Sequence, residues 1–230
     1  MFKKSIISLV GLLFAGQLLA AGMQPESPIV LIEEKDGIGE MVLQNTENEP
    51  LLLITTLVHM PEDPTLDVVA LPAVIRVEPG AKQIVRFALA EKLPLKTQRI
   101  MRVQFEGVPR KLDEPGGKQI FTLRHDMPLI VTPKGLEFNS RPWELLTWEL
   151  QDRKLTVRNP SKYVIRLSQQ VGLNGAEAYI NLDKPYVLAN EVVTLELPVN
   201  FKLKLASVRI FPSGSYGYTS KAEVDFPIAP

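Results

Sequence analysis

The sequence has no cysteine and only two histidines, His59 and His125. Without a thiol there can be no disulfide, no thiolate metal ligand and no cysteine nucleophile. A lipid anchor on an N-terminal cysteine is excluded for the same reason. Two histidines in separate strand-like contexts do not make a metal site. No glycine-rich phosphate loop is present, and no nucleophile, base and orienting group stand together. His59 lies between an apolar run and the loop Met60-Pro61-Glu62-Asp63-Pro64. It reads as a strand-end residue, and Glu62 and Asp63 read as loop carboxylates. We therefore expect no enzyme, no metal and no cofactor. An excess of one charge is also missing, with Lys+Arg and Asp+Glu at 26 each. Bulk charge thus gives no reason to expect nucleic acid or an anionic membrane as partner. Sustained helical periodicity is absent, and Leu89-Ala90-Glu91-Lys92-Leu93 could form one turn at most.

What is present begins with Met1-Phe2-Lys3-Lys4, a short positive segment, followed by an apolar run from Ile6 to Leu19 and the small residues Ala20-Ala21-Gly22. This order describes a secretory signal peptide over residues 1–21, cleaved after Ala20 or Ala21. The run is shorter than the roughly 20 residues of a comfortable membrane span, and no later run is longer. Export is the expectation. About 210 residues would remain, enough for one large domain or two small ones.

Short β-type runs follow, among them Ile29-Val30-Leu31-Ile32, Leu51 to Val58, Val68 to Leu71, Gln83 to Leu89 and Arg99 to Phe105. Asp36-Gly37, Asn45 to Pro50 and Glu78-Pro79-Gly80 punctuate them. Such spacing predicts an all-β sandwich. A similar series restarts after Thr132-Pro133-Lys134-Gly135-Leu136, with runs at Trp148 to Leu150, Lys154 to Arg158, Tyr163 to Leu167, Ala178 to Ile180, Val192 to Leu197 and Ala206 to Phe211. Proline cannot continue a ladder and glycine permits a bend. The expected domains are residues 22–133 and 134–230, meeting at an angle and leaving a cleft. Asn45 and Asn159 occupy loosely similar strand-end positions in the two halves.

Four segments resemble the periplasmic chaperones of the chaperone–usher pathway. They are Val77-Glu78-Pro79-Gly80 with its following strand to Phe87, Arg102-Val103-Gln104-Phe105-Glu106-Gly107-Val108-Pro109, Val157-Arg158-Asn159-Pro160-Ser161-Lys162-Tyr163, and Gly214-Ser215-Tyr216-Gly217-Tyr218. Each turn alone is ordinary hairpin chemistry. Their order covers nearly the whole chain. The resemblance implies two immunoglobulin-like β-sandwich domains and no catalysis. It implies a pilus or fimbrial subunit as client, an outer-membrane usher as receiver, and donor-strand complementation as the mode of binding. In that mode backbone hydrogen bonds supply affinity, and alternate apolar side chains fill the client's groove.

The strand that the resemblance marks as donor is Gln119 to Val131. Its odd positions Phe121, Leu123, Met127, Leu129 and Val131 are apolar, and its even positions Thr122, Arg124 and Asp126 are polar. Phe121 and Leu123 are the expected groove fillers, with Gln119, His125 and Met127 as further members and the later apolar positions sealing the domain's own core. The alternative is that the whole strand is ordinary sandwich core. Pro128 suits an edge. An apolar edge also predicts weak self-association of the free protein. The family's basic anchor, which holds the client's terminal carboxylate, falls at Ile29 and Pro128, neither of which is basic. Arg102, Arg86 and Arg124 are the candidates to replace it, since a guanidinium can bind a carboxylate bidentately. Two other classes remain open: a pilus subunit, and a secreted two-sandwich adhesin or carbohydrate-binding module, for which only Trp143 and Trp148 could supply an aromatic platform.

Overall fold

The structure, a computed structural model, describes residues 22–90, 94–110, 122–174, 178–197, 207–214 and 224–227. The signal segment, Phe121, Gln119 and most of the Gly214 to Tyr218 motif lie outside them. Among the described residues no helix is long and apolar enough to cross a membrane.

The first half folds as two facing sheets. One holds β1 (Met23–Pro25), β3 (Ile38–Asn45), β7 (Lys82–Leu89) and β5 (Val68–Leu71) in the order β1-β3-β7-β5. The other holds β2 (Val30–Glu33), β9 (Arg124–Thr132), β8 (Arg99–Pro109), β4 (Leu51–Val58) and β6 (Val74–Val77) in the order β2-β9-β8-β4-β6. Each strand alternates as its sequence does. In β4, Leu51, Leu53 and Thr55 are buried while Leu52, Thr56 and Val58 are exposed. In β7, Val85 and Phe87 face inward. The two inner faces meet at Phe87 and Phe105, whose rings pack edge to face at 6.2 Å. Burying one such side chain contributes about 1.5–3 kcal/mol.

One chain segment serves both sheets. β1 pairs with β3, and β2 then pairs parallel with β9. The crossing is braced by Ser27, whose hydroxyl donates to the Ile29 carbonyl at 3.0 Å and accepts from the Ile29 N–H at 3.3 Å. The turn that carries the chain from β2 in one sheet to β3 in the other is tight at Gly39, where an added Cβ would lie 2.3 Å from the Leu31 carbonyl oxygen.

The second half has its own core, formed by Trp143, Trp148, Leu155, Val157, Ile165, Val171, Leu195, Val208 and Ile210 among others. It contains β10 (Thr147–Gln151), β11 (Lys154–Arg158), β12 (Ile165–Arg166), β13 (Gln170–Asn174), β14 (Ala178–Asn181), β15 (Tyr186–Val187), β16 (Val192–Glu196), β17 (Ser207–Ile210) and β18 (Val224–Pro227). The ladders are β10-β11-β16, β12-β15 and β14-β13-β17-β18. Asp152 and Arg153, both at positive φ, turn β10 into β11 as a two-residue hairpin. A short 3₁₀ turn at Pro142–Leu145 precedes β10. Both tryptophans are buried, so neither offers a platform to a sugar.

The two sandwiches meet through a small third cluster of Ile29, Ile100, Ile130, Val164 and Tyr186. Gln98 stitches this contact. Its N–H donates to the Lys162 carbonyl at 2.8 Å, its side-chain oxygen accepts from the Val164 N–H at 3.0 Å, and its amide donates to Thr132 at 3.2 Å. Across the same boundary Lys184 pairs with Glu62 at 2.9 Å and, within its own half, with Glu191 at 2.8 Å. The Lys184 hydrogen bond holds the Glu62 carboxyl below its usual range. A cleft of about 400 Å³ remains beside the contact, lined in part by Leu31, Ile130, Phe138, Tyr163, Arg166 and Ser213. The architecture is two immunoglobulin-like sandwiches set at an angle with a cleft between them.

Candidate functional site

β9 is paired along its length on one side only. β8 runs beside it from Arg99↔Val131 to Glu106↔Arg124. On the other side β2 covers Leu129 to Thr132. Among the described residues, Arg124 to Pro128 have no strand neighbour there.

Pro128 reveals which backbone groups face that opening. It sits opposite Arg102 and has no N–H to exchange. The pair is therefore non-hydrogen-bonded, and alternation gives Asp126 and Arg124 the same phase. Their N–H and C=O groups point away from β8, into the open edge. Thr132 keeps the same phase further along, where its carbonyl accepts from the Glu34 N–H at 2.9 Å, on the β2 side.

The side chains alternate in the way complementation requires. The inward row is Leu123, His125, Met127 and Leu129, and it opens progressively toward the start of the strand. Leu129 is fully buried and Met127 is 7% exposed, whereas Leu123 is 44% exposed. Met127 belongs to the first domain's core, so it is already packed and is not free to enter another protein's groove. His125 is half-buried, and that burial pushes its imidazole below the ordinary value. Gly22, just ahead of β1, lies beside Leu123. Phe121 and Gln119 fall outside the described residues.

The outward row carries charge. Arg124 donates twice to Glu106, at 3.0 and 2.7 Å. Arg102 donates to the Asp126 carboxylate at 2.6 Å and, through Nη2, to the Asp126 carbonyl at 2.6 Å. That carbonyl is one of those presented at the open edge, so Arg102 caps it. Arg86 is elsewhere. It lies on the outer face of the other sheet, paired with Glu40 at 2.8 Å and exposed. It belongs to the opposite sheet from β9 and faces solvent there.

Sequence reasoning passed over Arg166, the last residue of β12. Its Nη1 is buried and meets no hydrogen-bond acceptor among the described residues. Burial pushes its guanidinium below the ordinary value, and the nearby positive charge of Arg102 adds to this. The available signal was a lone charge inside the apolar run Tyr163 to Leu167.

Three comparisons bear on this geometry. Residues 22–137 match the family described as pili and flagellar-assembly chaperone, PapD N-terminal domain. The chain is 34% identical over 206 residues to the uncharacterized fimbrial chaperone YhcA of Escherichia coli strain K12, covering 87% of this chain and 88% of the relative. Among solved structures it resembles a chain of the Salmonella enterica complex of SafA pilin with the SafB chaperone, at TM-score 0.73 and 17% identity over 90% of this chain and 97% of that one. It also resembles the E. coli chaperone DraB, at TM-score 0.70 and 15% identity over 90% and 99%. At such identities the structural likeness speaks to the fold, which it extends across both sandwiches. With the family match over the first sandwich and a relative of this identity over most of its length, the chain belongs to the pilus and flagellar-assembly chaperones.

Proposed function

We propose that this chaperone holds an incomplete pilus subunit by lending it the β9 edge, with Phe121 and Leu123 filling the subunit's groove and His125 at its margin. The observation that carries this reading is the half-paired strand, open from Arg124 to Pro128 and flanked by an exposed Leu123. An edge with unpaired backbone and one apolar face is what strand addition needs. The same feature is a hazard in the free protein, and weak self-association through it belongs to the proposal. SafB and CsuC were both solved as complexes, with a pilin and with a tip adhesion subunit respectively, and we extend that kind of client to this chain. We place the domain boundary at Pro133 and locate the protein in the periplasm, after removal of residues 1–21. SfaE, of the same fold, is named a periplasmic chaperone. An outer-membrane usher is the proposed receiver of the loaded client. No cofactor or catalysis enters this scheme. The adhesin or carbohydrate-module reading loses its platform with both tryptophans buried.

The test is a tagged copy purified from its native host's periplasm, with bound proteins identified by mass spectrometry. A small secreted subunit bound one to one is expected. Phe121→Asp combined with Leu123→Glu should lower its recovery more than tenfold, because a charge buried without a partner costs several kcal/mol. Undiminished recovery would sink strand lending. Sedimentation of the free protein reads the same edge, where a weak dimer should vanish in the double variant.

A further inference from the structure

We propose that the outer face of the sheet β1-β3-β7-β5 is a second contact surface, and that its occupant is another copy of this chain, packed face to face. An antiparallel sheet with one solvated face normally alternates apolar inside and polar outside. In the second sandwich β11 and β16 keep to this: their outer rows set Lys154, Thr156 and Arg158 against Glu196, Thr194 and Val192, with Val192 the one apolar member. The first sheet of the first sandwich does not. Ile38 of β3, Ala88 of β7 and Val69 of β5 stand directly opposite one another across three strands, with Ile38 and Val69 53% and 44% exposed. Four residues along β3, Val42 opposes the exposed Ile84. Leu71, 57% exposed, lies between the two rows, beside Arg86. Single apolar residues on a surface need no explanation, but a contiguous group marks a contact.

The charges on this face select the occupant. Glu40 and Arg86 are register partners between the two apolar rows, bonded at 2.8 Å and both exposed. A twofold axis laid along the seam between β3 and β7 sets each row over the same row of a second copy. Ile38 then meets Ala88 of the other copy, Val42 meets Ile84, and Glu40 meets Arg86. Apolar groups fall on apolar groups and each charge falls on its opposite, so two separate ion pairs become one ring of four alternating charges. Sheets stacked this way keep their strand directions within about 30° of each other. A partner with an excess of one charge would be repelled by one member of the pair, whereas a second copy satisfies both.

The size of the face sets the strength of the contact. It is four strands wide and eight residues long along β3, roughly 500 Å² per copy at about 4.8 Å between strands and about 3.4 Å per residue. About 1,000 Å² buried by the pair is the low end for a specific interface, so the association is weak and depends on concentration. β9 lies in the opposite sheet. The contact therefore leaves the lending edge of both copies uncovered, and it is separate from the association through that edge.

The experiment uses the chain purified from the periplasm, carrying Phe121→Asp and Leu123→Glu so that the β9 edge does not contribute. Sedimentation equilibrium is taken to roughly 300 µM, well above the range in which the edge dimer is read, because an interface of this size is weak. The weight-average mass should rise from that of the monomer toward twice that value. Adding Glu40→Lys or Arg86→Glu should each weaken the association about tenfold, because like charges then face each other. An equimolar mixture of those two variants should associate as the parent does, since the cationic face of one opposes the acidic face of the other. Ile84→Lys, within an apolar row, should weaken association as the single charge variants do. All three side chains are exposed, so melting temperatures should stay near that of the parent, which separates a lost contact from a lost fold. A parent that stays monomeric throughout, single charge variants that associate as it does, or a mixture no better than its components overturns the proposal. Failure of strand lending shows separately, as undiminished client recovery by the Phe121→Asp, Leu123→Glu chain.

Discussion

Asn45 and Asn159 are two buried polar residues with one job. Asn45 ends β3 and is fully buried. Its amide donates to the Glu49 carbonyl at 2.9 Å and the Val77 carbonyl at 3.0 Å, and its oxygen accepts from the Glu47 N–H at 2.9 Å. Asn159 follows β11 in the other sandwich. Its amide serves the carbonyls of Tyr163, Val187 and Leu188 at 2.8, 3.1 and 2.8 Å, and its oxygen accepts from the Ser161 N–H at 3.1 Å. Each ties the end of one strand to a distant turn that bends through a positive-φ residue, Gly80 in one case and Asn190 in the other. The Glu-Pro-Gly and Asn-Pro-Ser signatures are the two halves of this device. Asn45→Ala or Asn159→Ala should each cost about 2–3 kcal/mol, because buried carbonyls are left unpaired, read as a lower urea midpoint. Asn159→Asp should do no better, since a carboxylate has no N–H to donate. Sequence placed both asparagines at strand ends. It could not show the shared role, because the decisive carbonyl of Val77 lies 32 residues from Asn45 and that of Val187 lies 28 from Asn159.

β9 shows what an element's pattern reveals and what it hides. Its period-two alternation marked the inward row, and Pro128 marked an edge. Alternation did not say where core ends and edge begins, because Met127 and Leu123 are equally apolar in sequence. The reach of the core between the two facing sheets decides it: Met127 packs within that core and Leu123 is exposed. Similarly, β3 was not singled out, because Gly37 and Gly39 interrupt its apolar pattern at a place where the backbone itself must approach Leu31. The phase of β9 yields a sharp prediction. Asp126→Pro removes an N–H that points into the open edge, so the protein should stay folded. The lost ion pair with Arg102 would cost below about 1 kcal/mol. Client recovery should nevertheless collapse. Met127→Pro instead removes an N–H directed at β8 and should lower the melting temperature sharply. Equal melting losses in the two variants, followed by circular dichroism, would contradict the assigned phase.

At the scale of the molecule, two complete cores are joined by a thin contact. Five apolar side chains and the three bonds of Gln98 hold the angle, helped by the Lys184–Glu62 pair. Gln98→Ala should weaken the junction more than either core. In scanning calorimetry, one cooperative transition should separate into two, and a single unshifted transition would show that the apolar cluster suffices. The division into two sandwiches was legible from recurring strand and turn signals. The junction was not, because the members of its apolar cluster come from five distant segments, none of which is unusual alone. The parallel seating of β2 has one more effect. By occupying β9 from Leu129 onward, it sets a stop at one end of the open edge, past which a second strand cannot pair. Backbone pairing is blind to side chains, so this stop fixes where an incoming strand must end whatever its sequence, and subunits of quite different sequence can be seated in one register.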